Sequence, residues 1–135
     1  MNDFNQQIIS EFRANQGKVG GQFQGATLLL LTAKGAKSGK VTTFPVVYTR
    51  DGDRFVVIAS KGGAPTNPAW FHNLRANPEA TAEMGSEKLS VRASIPEGSE
   101  RDRLFDQMAA VLPGFAEYQK NTTRRIPVVV LERTD

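Results

Sequence analysis

A chain of 135 residues, 39% hydrophobic and 23% charged, fits one globular domain with a core of its own and is too short for two. The lack of cysteine excludes disulfides, thiolate chemistry and Cys-based zinc, and a lone histidine, His72, excludes a multi-histidine centre, so no metal site is expected. The net charge of +3 is modest but uneven: Lys34, Lys37, Lys40 and Lys61 gather around two glycine-rich turns, which reads either as part of a solvated mixed surface or as a local anion site.

No apolar run approaches the roughly 20 residues that span a bilayer. The first residues are polar and acidic, unlike a secretory signal, so the cytoplasm is the expected location. Aromatic residues do not alternate with basic ones as a nucleic-acid stacking platform requires, and no nucleic-acid partner is expected.

Phe4, Ile8, Ile9 and Phe12 recur at helical spacing, which predicts an amphipathic helix over residues 3–15. Packing on the core is its first reading. A lid and a weak membrane-surface contact are the functional ones, the latter disfavoured by a polar face without basic excess. Residues 26–33 form a continuous apolar run and predict a buried strand, followed by a basic turn over 34–40. Residues 41–50 predict a second strand interrupted by Pro45, which belongs at an edge or a bulge. Asp51-Gly52 reads as a hairpin turn into a third strand over 54–60.

After the third strand the chain runs Ser60-Lys61-Gly62-Gly63. Its glycines let the backbone approach an anion closely, and successive amides can form a donor nest. Asn67 is the expected cap and Pro68 the first residue of a short helix that adds its positive end. Residues 80–84 and 88–95 predict a strand pair, residues 99–112 a helix capped by Ser99 and stopped by Pro113-Gly114, and residues 126–133 a last strand. About six strands joined mostly by hairpins, with about three helices between them, make an α+β protein: a small, mostly antiparallel closed or split β-barrel over residues 1–135.

The run Gly35 to Lys40 resembles a phosphate loop but has three residues between its glycines where four are needed, and Val41 stands in place of the magnesium-binding Ser or Thr. Nucleotide triphosphatase chemistry is not expected on that ground; Lys37, Ser38 and Lys40 still suit an anion, though the turn by itself reads equally as a solvated hairpin. His72 has no partner at a telling position and reads as a surface or capping residue; Trp70 reads as core or pocket wall. The residues alone lead to a barrel with an anion-binding edge and an aromatic pocket, without a reaction.

Three segments in order, over residues 28–48, 56–78 and 113–133, resemble the deazaflavin-dependent nitroreductase family, split-barrel enzymes that use the reduced deazaflavin coenzyme F420 and occur chiefly in actinobacteria. The resemblance implies hydride transfer to a small acceptor: a quinone, an α,β-unsaturated carbonyl or a nitroaromatic. It implies that Lys37, Ser38, Gly39 and Lys61 hold the coenzyme's phosphate and anionic tail. Thr43, Phe44, Pro45, Val46 and Val47 line the coenzyme, Ile58, Ala59 and Ser60 lie by the ring, and Ala69, Trp70, Phe71, His72 and Asn73 cover it. Phe115 and Tyr118 face the ring or the acceptor, with Ser60 and Tyr118 the candidates for polarising it. The helix over residues 1–16 resembles the segment that closes over the substrate pocket. Leu112 and Phe115 stand where nitroimidazole-reducing relatives carry tyrosines, and neither donates a hydrogen bond, which favours a quinone or enone. The alternatives are a split barrel binding flavin mononucleotide and a non-catalytic carrier of the coenzyme or of an apolar ligand.

Overall fold

The computed structural model describes residues 3–15, 28–59, 67–85, 87–122 and 125–134. Its elements run α1 (Asp3–Ala14), β1 (Leu28–Lys34), β2 (Val41–Asp51), β3 (Arg54–Ile58), α2 (Ala69–Ala76), β4 (Glu79–Met84), β5 (Glu87–Ser94), α3 (Gly98–Val111), α4 (Gly114–Lys120) and β6 (Val128–Arg133). The strands close into an antiparallel barrel in the order β1-β2-β3-β6-β5-β4. The expected α+β barrel is what the chain forms, with four helices where about three were expected, the additional one being α4 after Pro113.

Side chains alternate across a strand, so an unbroken apolar run is stable only when both faces are covered. In β1, Leu29 and Leu31 point into the barrel, while Leu28 and Leu30 pack outside it against Ile8, Ile9 and Phe12 of α1. Phe55 and Val57 of β3 and Val129 and Leu131 of β6 likewise fill the interior. Val56, Ile58, Val128 and Val130 lie under α3 and α4 with Leu104, Phe105, Met108 and Phe115. β5 keeps the alternation of a half-exposed strand, with Leu89 and Val91 buried between exposed neighbours. Each fully buried leucine or valine stabilises the fold by about 1.5–3 kcal/mol. Trp70, Phe71 and Leu74 of α2 join the interior group, so this helix plugs one end of the barrel.

Charged pairs fix the helices to the barrel. Arg13 of α1 makes a two-pronged contact with Glu83 of β4, Nε to Oε1 at 3.2 Å and Nη2 to Oε2 at 2.9 Å. Both Nη atoms of Arg103 reach the Asp51 carboxylate at 3.1 Å, and Arg54 bonds both Asp51 and Glu100, tying the tip of the β2–β3 hairpin to α3.

Several boundaries differ from the sequence expectation. Ser99 does not cap α3: the helix starts at Gly98 after Glu97, with no side-chain cap. Pro68, not Asn67, holds the cap position of α2, again without a side-chain bond. The hairpin loop is Gly52-Asp53, since Asp51 pairs with Arg54. Pro45 does not interrupt β2, which continues through it in register with Leu30.

Candidate functional site

β2 is paired unequally on its two sides. Val41 through Val47 all lie in register with β1, from Lys34 back to Leu28. On the other side, pairing with β3 begins only at Tyr48, opposite Val57. Among the described residues, the first seven of β2 therefore have a strand on one side only and form an edge inside a closed barrel. A proline is tolerated there because no described strand claims its missing N–H on that side.

The outer face of this edge is half-buried Thr43, Pro45 and Val47. Val47 belongs to two apolar groups at once, that of α1 and that of α3 and α4. The described parts of the two helical layers thus meet the barrel on either side of β2, and the half-buried strip of strand between them is the candidate groove. Phe115 and Tyr118 of α4 stand on one wall, their rings 5.7 Å apart and near perpendicular. Leu112 packs on the same group. Within the groove, Thr43 Oγ1 lies 2.8 Å from Thr32 Oγ1, which satisfies both hydroxyls.

At the end of the groove sits the β1–β2 turn. Gly35 N–H donates to Lys40 O at 2.8 Å, Gly39 N–H donates to Gly35 O at 3.2 Å, and Ser38 Oγ accepts from Lys40 N–H at 3.1 Å. Gly39 takes φ of 72°, a conformation other side chains rarely adopt. Gly35 is buried, and a Cβ there would lie 2.6 Å from Ser38 Oγ. The turn is braced from α2: Asn73 Oδ1 accepts from Ala36 N–H at 3.0 Å, and Asn77 Nδ2 donates to Lys34 O at 3.4 Å. Lys34, Lys37 and Lys40 are exposed, and among the described residues none of them pairs with a carboxylate. A fixed loop with three unneutralised ammonium groups fits an anionic group of a ligand.

The predicted residues divide by the side of the sheet they face. Lys37, Ser38, Gly39, Thr43, Pro45, Val47, Ile58, Phe115 and Tyr118 lie on the turn, on the outer face or in the apolar group beside it. Phe44, Val46, Ala59, Trp70 and Phe71 belong instead to the barrel interior, so their side chains face away from the groove. His72 is exposed, its ring 5.8 Å from that of Phe71, and Ala69 is exposed beside it. Asn73 is spent on bracing the turn. Ser60 and Lys61 lie outside the described residues, as do Gly62 and Gly63. Sequence reasoning missed Gly35, Asn77, Arg101 and Gln119; only Arg101 left a signal, an arginine in line with Leu104, Phe105 and Met108 on an apolar helix face.

A cavity of about 560 Å³ opens elsewhere, between α2, the start of α3 and the approach to β6. Among the described residues, Phe71 is the one predicted site residue that lines it.

A closed six-stranded antiparallel barrel with helices packed on its outer face is of the split-barrel type. More particularly, residues 5–133 match the F420H(2)-dependent quinone reductase family, and the chain belongs to that family. An F420H(2)-dependent quinone reductase of Mycobacterium tuberculosis is 38% identical over 126 residues, covering 90% of this chain and 85% of the relative. The solved F420-H2 dependent reductase FDR-A superposes with a TM-score of 0.73 at 36% identity, covering 78% of this chain and 94% of that one. A solved domain-swapped dimer gives 0.75 at 32% identity, covering 96% of both chains. The family brings with it the cofactor, reduced coenzyme F420, and the activity, reduction of a quinone.

Proposed function

We propose that the groove along β2 is where this oxidoreductase binds coenzyme F420, and that the acceptor enters between the coenzyme and α4. The observation that carries this reading is the coincidence of two features at one place: the unpaired half of β2 and the basic turn at its end. Lys37, Ser38 and Gly39, with Lys61, hold the phosphate and anionic tail. Thr43, Pro45, Val47 and Ile58 offer side chains to the coenzyme. Phe44, Val46 and Ala59 offer only backbone, since their side chains fill the barrel. Trp70 and Phe71 contribute by fixing α2, and Asn73 by holding the turn in the shape the anion requires.

When bound, the reduced coenzyme supplies a hydride to the acceptor, so few side chains need be catalytic in the strict sense. The protein's work is to orient the two reactants and to keep water out. Phe115 and Leu112 give the acceptor an apolar wall. Tyr118 presents a hydroxyl on the same helix and is the candidate to donate a hydrogen bond to a carbonyl oxygen as charge builds on it. Ser60 is the second candidate. With phenylalanine and leucine where nitroimidazole-reducing relatives carry tyrosines, the favoured acceptors are quinones and enones. Helix α1, whose described apolar residues Ile8, Ile9 and Phe12 are all turned onto the barrel, closes the other side of the groove as a lid. That orientation favours the lid over a membrane-surface contact. Among the described residues no helix is long and apolar enough to cross a membrane, and a cytoplasmic location goes with the reading.

The test is a titration of the purified protein with reduced F420, followed by fluorescence and absorbance, with menadione and then cyclohexenone added. Saturable binding and acceptor-dependent oxidation are expected. Binding with no oxidation by either acceptor makes the protein a carrier, and no binding refutes the site.

A further inference from the structure

Arg101 is a charged residue with 8% of its surface exposed, at a position where leucine or methionine would continue the apolar stripe of α3. An arginine is expensive to bury unless its donors and its charge are all engaged. Nearly all are. Nε and Nη2 both donate to Ile126 O, at 3.1 and 2.7 Å. Nη2 also donates to Gln119 Oε1 at 2.8 Å, and Nη1 to Asp102 Oδ1 at 3.1 Å. The guanidinium lies over the ring of Phe105, 4.4 Å from its centroid. Gln119 Oε1 in turn accepts from Ile126 N–H at 3.0 Å. One guanidinium and one carboxamide thereby lock three pieces of chain together: α3, α4 and the approach to β6.

Of the three, α4 depends on the lock most. It has seven residues, no side-chain cap at its N-terminal end and only backbone bonds closing its C-terminal end, and a helix that short does not hold its place by itself. Among its other described anchors are two apolar ones, Phe115 and Tyr118 against the outer face of β3 and β6, and apolar contact leaves rotation about the helix axis poorly fixed. Gln119 is the residue next to Tyr118, so the carboxamide fixes the rotation that aims the tyrosine hydroxyl.

We propose that Arg101 and Gln119 are a positioning pair that sets α4, and through it Phe115 and Tyr118, against the acceptor. This rests on the preceding reading that α4 walls the acceptor site. It assigns neither residue a contact with acceptor or coenzyme. It separates acceptor selection, governed by an ion-and-amide lock behind α4, from coenzyme binding, governed by the basic turn at the far end of β2.

The variants are Gln119→Met, which keeps length and removes both acceptor contacts, and Gln119→Glu, which keeps an acceptor oxygen for Arg101 and for the Ile126 amide. Arg101→Lys is the third, since a lysine cannot span the three acceptors as a fork does. Gln119→Met is expected to raise the menadione KM about tenfold and to lower kcat, as misplacement of a reacting group does. The Kd of reduced F420 should stay within twofold, and Gln119→Glu should restore the menadione KM. Hydrogen exchange should show the amides of residues 114–120 opening faster in Gln119→Met while those of β3 are unchanged. If Arg101→Lys does not fold, the two Gln119 variants still decide. A menadione KM that stays at the wild-type value, or one that moves in parallel with the coenzyme Kd, overturns the proposal. Wild-type protein that binds F420 but reduces no quinone refutes the acceptor reading instead, and the exchange rates of α4 then report on the anchoring by themselves.

Discussion

Replacing Gly35 by alanine should weaken coenzyme binding although Gly35 carries no side chain to lose. The new Cβ would stand 2.6 Å from Ser38 Oγ and 3.2 Å from Lys40 O. The hydroxyl can swing aside, but it then gives up the Lys40 N–H it accepts at 3.1 Å, a loss of about 0.5–1.5 kcal/mol. The carbonyl is backbone, and moving it by a few tenths of an ångström stretches the 2.8 Å bond from Gly35 N–H that closes the turn. Together these put the cost at about 1–2 kcal/mol, or roughly 5- to 30-fold in the Kd of reduced F420. Fluorescence titration of Gly35→Ala, Ser38→Ala and the double variant reads it. Because the clash is largely with the Ser38 hydroxyl, the double variant should bind no more than about threefold worse than Ser38→Ala, a non-additive cycle. Wild-type affinity in Gly35→Ala, or costs that add in the double variant, would refute the reasoning that the turn's shape makes the anion site.

Lys37→Ala should weaken coenzyme binding by about 1.5–3 kcal/mol, the scale of a hydrogen bond to a charged group. The same titration at rising salt should narrow the gap between variant and wild type, since exposed charges are screened. Tyr118→Phe should slow turnover with menadione and leave the F420 Kd nearly unchanged; wild-type rates would make Tyr118 a packing residue. The Asp51 carboxyl is held down to about 2 by hydrogen bonds from Arg103 and Arg54, and the Glu100 carboxyl is lowered by the same two arginines. A carboxylate lowered on folding stabilises above its unfolded value of about 4, and that contribution fades as pH falls toward 2. Thermal melts from pH 7 to pH 2 should show wild type losing an advantage over Asp51→Asn through this window, and a constant gap would dissociate the network from acid stability.

The barrel was legible because its strands advertise how many faces they bury. The unbroken apolar runs of β1, β3 and β6 belong to strands covered by helices outside and by the core inside, and β5 alternates because only one of its faces is covered. Capping was less legible. Ser99 and Asn67 have the chemistry of caps, but the cap positions fall on Glu97, two residues earlier, and on Pro68, one residue later. Helix α4 escaped notice because seven residues beginning at a Pro-Gly pair carry too little periodicity to be distinguished from a turn. Within the site, a contiguous stretch such as residues 43–47 could be placed by resemblance but not divided. Only the barrel's inside and outside separate Thr43, Pro45 and Val47 from Phe44 and Val46. The brace from Asn73 to Ala36 joins positions 37 residues apart and has no local signature at all.

If the coenzyme lies along β2 as proposed, the open half of that strand makes the two helical layers matter more to the acceptor than to the coenzyme. The turn and the edge are built from barrel backbone, held by hydrogen bonds on the β1 side and by the plug of α2 at the end. The walls are different. α1 is joined to the barrel by three described apolar side chains and the Arg13–Glu83 pair, and α4 by two rings and the carboxamide of Gln119. Substitutions on these helices reshape the space above β2 while leaving the strand beneath it intact. A binding surface set by strand pairing tolerates little change, because altering it disturbs the closure of the sheet. Walls set by a few side chains can vary without that cost. On the proposed placement of the two ligands, acceptor preference in this chain is set by α1 and α4, and coenzyme preference by the turn before β2.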